Sequence, residues 1–169
     1  MSPMIGQTLV HEINCTPERM WELFFDDQYN IDQYVGSLGF TKCEILDKQD
    51  DGEVLRRRME CIPKIDMPRA IQKVVGDRTG YIESGEWTRS TGEWRWSLNL
   101  FAFGEKLRVG GTMRLEPLPG GRCKRVTPFE VEAKVFGIGK IVEKTSADNI
   151  VKGWNDSAAF ANQYVARNP

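Results

Sequence analysis

The chain has 169 residues, of which 40% are hydrophobic and 28% charged, and a formal net charge of -1. That length suits one domain with a real core and falls short of two comfortable ones. The near-zero charge excludes an overall field that would draw nucleic acid or an acidic surface, and no apolar stretch approaches the roughly 20 residues of a bilayer span.

In chain order, Ile5 to Asn14 alternates around Leu9, His11 and Ile13 and predicts a strand. Thr16 is a good helix N-cap, Pro17 suits the first helical position, and Met20, Leu23 and Phe24 recur at helical spacing, with Trp21 and Phe25 widening the stripe. This helix is expected to end near Asp26–Asp27, and a second short helix or turn is expected over Asn30 to Gly36. Thr41–Lys48 and Glu53–Ile62 flank Asp51–Gly52, a hairpin signal. Pro63–Gly76 breaks the strand pattern, and the run after Pro68 predicts a short helix. Further strands are expected over Gly80–Arg89, Gly92–Phe103, Lys106–Glu116 and Cys123–Val135, with Pro117–Gly121 as the last turn. From about Gly137 to Ala166 the chain predicts one long amphipathic helix whose stripe runs through Ala147, Ile150, Trp154, Ala158, Ala161 and Val165. Glu143, Lys144, Asp148, Lys152 and Asp156 are placed toward water.

A long helix that follows a large antiparallel sheet has one good resting place, across the sheet's apolar face. If the sheet is curved, a cavity remains beneath the helix. The four cysteines, Cys15, Cys43, Cys61 and Cys123, are scattered without a CxxC, and His11 is the one histidine. A zinc site is not expected, and free thiols in a reducing compartment are. No basic start followed by an apolar run opens the chain, so the expected location is cytoplasmic.

The order of elements, together with the local text INCTPERMWELFFD, resembles the START-like, helix-grip (SRPBCC) superfamily. That group includes birch-pollen-allergen-like proteins, polyketide cyclases and lipid-transfer domains. Pro17, Trp21, Leu23 and Asp26 or Asp27 stand at the places of the family opening, in which a strand runs into x-x-P-x-x-x-W/V-x-x-h-x-D. The element order covers the whole chain; motif-like text covers only the first thirty or so residues. Pro63–Val75 and the length are most similar to bacterial START-like families without assigned activity. The Gly-rich loop of pollen-type members is replaced here by Asp50-Asp51-Gly52, which does not support a phosphate cradle there. The resemblance implies an α+β fold over residues 1–169: a curved antiparallel sheet of six to seven strands, two short helices, and a long C-terminal helix enclosing a ligand cavity. It does not by itself imply an activity.

Candidate ligand contacts follow from strand parity. His11 shares the face of Leu9 and Ile13 and would orient a ligand or be satisfied by backbone. Arg57 alternates with Leu55 and Met59; it would pair an acidic head group in the cavity, or Glu83 or Glu44 of the protein. Tyr81, Trp87, Trp94 and Trp96 cluster on two successive strands and Trp154 lies on the helix stripe; they are either cavity walls or solid core. Ile65, Met67 and Ile71, among lysines and arginines, would sit at a cavity entrance and touch a membrane surface in passing, or would pack inward as an ordinary helix face. Gly137 and Gly139 would let the strand turn tightly into the helix and flex at the same entrance. No G-x-S-x-G, HExxH, GxxxxGK[ST] or Ser/His/Asp arrangement occurs, so no catalytic residue, metal or cofactor is assigned. The expectation is a protein that binds, and carries or senses, a hydrophobic small molecule such as a lipid or sterol. The alternative is a cyclase- or dehydratase-like enzyme acting on a hydrophobic carbonyl substrate in the same cavity.

Overall fold

A computed structural model describes residues 4–169. Strand β1 (Met4–Ile13) leads into helix α1 (Pro17–Phe25) and helix α2 (Asp27–Ile31), which widens into a π-helical turn over Asp32–Ser37. Then come β2 (Lys42–Asp50), β3 (Val54–Ile62), α3 (Arg69–Val75), β4 (Tyr81–Thr88), β5 (Glu93–Leu100), β6 (Leu107–Leu118), β7 (Arg122–Ala133) and α4 (Gly139–Arg167). The strands form one antiparallel sheet in the order β1-β7-β6-β5-β4-β3-β2. It is curved, and α4 crosses its apolar face, as in a helix-grip α+β fold.

Local chemistry accounts for most boundaries. The Thr16 hydroxyl accepts from the Arg19 amide, and Pro17 stands at the start of α1, where its missing N–H costs nothing. Asp26 ends α1 and caps α2, its carboxylate accepting from the Tyr29 amide at 2.7 Å. This double use of Asp26 starts α2 at Asp27, three residues before the expected Asn30. The last carbonyls of α1 are satisfied from the sheet and from α2: Phe24 O accepts from Arg57 Nη1 (2.7 Å) on β3 and Asn30 Nδ2 (2.9 Å) on α2, and Phe25 O accepts from Lys48 Nζ (2.8 Å) on β2. Cations at a helix C-terminus also meet its negative dipole end.

Two expectations are corrected. β6 continues through Pro117 and Leu118, which pair with Cys123 and Arg122. The turn is tighter than expected because Gly120 and Gly121 both adopt positive φ, 81° and 71°, so the reversal needs only the residues after Leu118. Glu143 is buried rather than wet: its Oε1 accepts from the Ala133 amide at 2.8 Å, tying the first turns of α4 to the end of β7.

The core lies between sheet and helix. Met59, Trp94, Trp96, Val109, Met113, Phe129 and Val131 on the strands, and Val142 and Ala147 on α4, are buried. α4 rests chiefly on β1 and β7, so its far side stands over β4, β5 and β6 with space left beneath. The opposite face of the sheet is polar, and several of its arginines are matched: Arg56 with Glu86 (3.1 Å), Arg58 with Asp47 (2.7 Å) and Arg95 with Glu93 (3.0 Å). The four cysteines are buried free thiols. Among the described residues no helix is long and apolar enough to cross a membrane.

Candidate functional site

Inward parity on each strand delivers a different part of the site. β3 presents Leu55, Arg57, Met59 and Cys61; β4 presents Tyr81, Glu83, Gly85 and Trp87; β5 presents Trp94, Trp96, Leu98 and Leu100. Between these strands and α4 lies a cavity of about 240 Å³. Its walls are mostly apolar, with Trp94, Trp96, Leu98 and Val109 on the sheet side and Val142, Ile150, Gly153 and Trp154 on the helix side. Ile65, Met67, Ile71 and Val75 border it, as do Tyr34, Leu38 and Phe40 after α2. The polar groups that reach it from the sheet are Tyr81, Glu83 and Arg125.

The predicted contacts therefore divide. Tyr81, Trp94, Trp96 and Trp154 meet at the cavity, with the Trp96 and Trp154 ring centroids 6.2 Å apart, and Ile65, Met67 and Ile71 lie along its border. Trp87, Met59, Arg57, His11, Gly137 and Gly139 are not among the lining residues. Trp87 is held in an aromatic cluster with Trp21 and Phe25, at 5.1 and 5.3 Å between ring centroids. Met59 is fully buried beside Cys43. Gly137 has φ 79°, the left-handed conformation that favours glycine in the turn into α4. Gly139 opens α4, with little room against the Ala133 carbonyl.

Arg57 follows the second of its two readings. Its side chain is 1% exposed, Nη2 donates to Glu83 Oε1 at 3.3 Å, and Nη1 donates to the Phe24 carbonyl. Its guanidinium carbon lies 4.6, 5.5 and 5.2 Å from the ring centroids of Phe24, Phe25 and Trp94. This arginine docks α1 on the sheet. Gly85 is part of the same arrangement, because the Trp94 ring passes through the space that a Cβ on residue 85 would occupy.

His11 points under α4, where Nε2 donates to Asn155 Oδ1 at 2.7 Å and Nδ1 has no partner. Burial pulls its pKa below the usual 6.5, the Asn155 bond opposes this, and the charge of Arg125, its cross-strand neighbour, lowers it further. A histidine with a depressed pKa in the fold stabilises the protein above its unfolded pKa, and that stability is lost as pH falls below about 6.5. The urea midpoint is therefore expected to drop between pH 7.5 and pH 5. His11→Gln, which keeps a neutral donor for Asn155, is expected to flatten that drop; an unchanged pH profile in the variant would remove His11 as its source.

Arg125 was missed, although the alternation Cys123, Arg125, Thr127, Phe129, Val131 already put it on the inward face. It is 3% exposed. Nη2 donates to the Trp154 carbonyl at 2.8 Å, and the guanidinium lies 4.7 Å from the Trp154 ring centroid. Burial lowers its pKa to about 10, so it stays cationic at neutral pH.

A family model described as "Protein of unknown function (DUF2505)" matches residues 8–165. No curated protein matches the sequence. The fold is similar to solved structures of low sequence identity. The Zhui aromatase/cyclase from a Streptomyces species is 15% identical, with 96% of each chain covered and a TM-score of 0.65. Norcoclaurine synthase from Thalictrum flavum in complex with dopamine and hydroxybenzaldehyde is 13% identical, covering 99% of this chain and 90% of that one, with a TM-score of 0.64. A START superfamily protein from Mycobacterium smegmatis is 15% identical, covering 98% and 99%, with a TM-score of 0.56. At such identity the likeness is one of fold, and it is the START-like helix-grip fold anticipated from the element order.

Proposed function

The chain belongs to the DUF2505 family, and from the cavity built between its sheet and α4 we propose that it binds a hydrophobic small molecule, to carry or to sense it. The observation that supports this is the apolar hollow of about 240 Å³ walled by Trp94, Trp96, Leu98 and Trp154. It falls just below the usual ligand-pocket range of roughly 300–1,000 Å³, which favours a compact single-chain or ring-bearing molecule over a two-chain lipid. Removing apolar ligand surface from water contributes on the order of 25 cal/mol per Å² before the ordering costs are met. That the synthase of the same fold was solved with small aromatic compounds adds support by analogy.

Ligand would pass in beside Ile65, Met67 and Ile71. Close in sequence to the lining residues stand exposed Val74, Phe101 and Ile141, and fully exposed Phe136. With Lys73 and Lys140 nearby in sequence, these suit brief contact with a membrane surface from which ligand is drawn. Four buried free thiols suit a reducing compartment such as the cytoplasm. In the enzymatic alternative, a cyclase-like reaction on a carbonyl compound, an acid–base group must be free in the cavity. Of the two carboxylates that line it, Glu83 is engaged by Arg57 and Asp156 by Lys152, which puts the carrier reading ahead.

Native mass spectrometry of freshly purified protein tests the proposal. A bound mass is expected, released by organic extraction as a hydrophobic compound. Finding none, together with no binding across a broad panel of fatty acids, sterols and aromatic compounds, would overturn it.

A further inference from the structure

Two arginines are buried on the inner face of this sheet, and their surroundings differ. Arg57 has a carboxylate, a carbonyl and three aromatic faces around it. Arg125 has a carbonyl and one aromatic face, and among the described residues no carboxylate pairs with it. Its Nε, like that of Arg57, is buried without any acceptor, so the difference between the two lies in the missing carboxylate. The ionisable groups that bear on it are Tyr29, Tyr34, Cys123 and its cross-strand neighbour His11, none of them an anion at ordinary pH, and the Tyr29 hydroxyl is itself buried without a partner. A cation taken out of water and left without a counter-charge is costly to hold. Arg125 is also one of the residues that border the cavity, where a bound molecule can meet it.

We propose that Arg125 is the anchor for an acidic head group, so that the natural ligand is a compact hydrophobic molecule carrying one carboxylate. A guanidinium offers a planar fork of N–H donors that matches a carboxylate better than a hydroxyl does. The Trp154 carbonyl and ring hold the fork in place, and the hydrocarbon part of the ligand then lies along Trp96, Leu98 and Ile150. This inference rests on the cavity reading and adds the ligand's charge to it.

The test is isothermal titration of the full chain at pH 7 with two matched pairs, octanoate against octanol and cinnamate against cinnamyl alcohol. The acid of at least one pair is expected to bind about tenfold or more tightly than its alcohol, as a hydrogen bond between charged groups implies. Arg125→Met is expected to bring acid and alcohol within about threefold of each other, while Arg125→Lys keeps part of the preference. If the methionine variant does not fold, the wild type still decides: the acid's advantage over its alcohol should shrink several-fold as the pH is lowered from 7 toward 4 and the carboxylate takes up a proton; an unchanged ratio would overturn the anchor. Equal binding of acid and alcohol by the wild type would overturn the anchor and leave the cavity reading standing. If none of the four compounds binds, while native mass spectrometry also returns no bound mass, the cavity reading fails and the anchor with it.

Discussion

Gly153→Phe is expected to abolish ligand binding while leaving the protein as stable as the wild type. Gly153 lies on the helix wall of the cavity, and a Cβ built there meets nothing within 4 Å. It has an ordinary helical backbone, so a side chain costs no strain and regains part of the roughly 1 kcal/mol that glycine costs inside a helix. The ring would project into the hollow that a ligand needs. Gly153→Ala is the control: it should raise stability by about 0.5–1 kcal/mol and leave most of the volume open. Thermal melts and cinnamate titrations on the three proteins check this. A phenylalanine variant that still binds like wild type would move the ligand out of this cavity.

The second large effect is on stability. Glu83→Leu leaves Arg57 buried with no carboxylate, and removing one partner of a buried pair typically costs about 3–5 kcal/mol. The pair Arg57→Met with Glu83→Leu removes both charges and should recover more than half of that loss, because no charge then remains to be solvated. It will not recover all of it, since Arg57 also satisfies the Phe24 carbonyl at the end of α1. Urea unfolding of the two single variants and the double variant gives the coupling directly. Additive losses would mean that the contact at 3.3 Å contributes little.

These predictions turn on partners, and partners are where sequence reading ran short. Alternation and turn residues carried the order of elements, the seven strands and the long final helix, because periods of 2 and 3.6 are printed in the chain itself. Strand parity also placed Arg57 inward. It could not choose between Glu83 and a ligand, because that choice depends on how the ends of two long side chains meet across neighbouring strands. Trp87 was drawn to the cavity by its parity with Tyr81, yet the curvature of the sheet carries the far end of β4 under α1, where Trp21 and Phe25 cover it. Arg125 was legible and went unread: an arginine on the inward phase of a strand otherwise carrying Cys123, Thr127, Phe129 and Val131 is an anomaly of the kind that marks a site. Pro117 was misread as a turn residue because proline usually punctuates strands; here the two glycines beyond it make the reversal.

The position of β1 at one margin of the sheet bears on how the protein is made. Its neighbour there is β7, so Ile13 finds its partner in Cys123, on the last strand of the sheet. Strands β2 to β6 can zip together hairpin by hairpin as they leave the ribosome, each meeting the one just made. The first strand synthesised must wait, unpaired, until nearly the last has emerged, and closing so distant a contact is entropically slow. The edge formed by β1 is thus the last part of the sheet to close, and the emerging polypeptide has to shelter that waiting segment until β7 arrives.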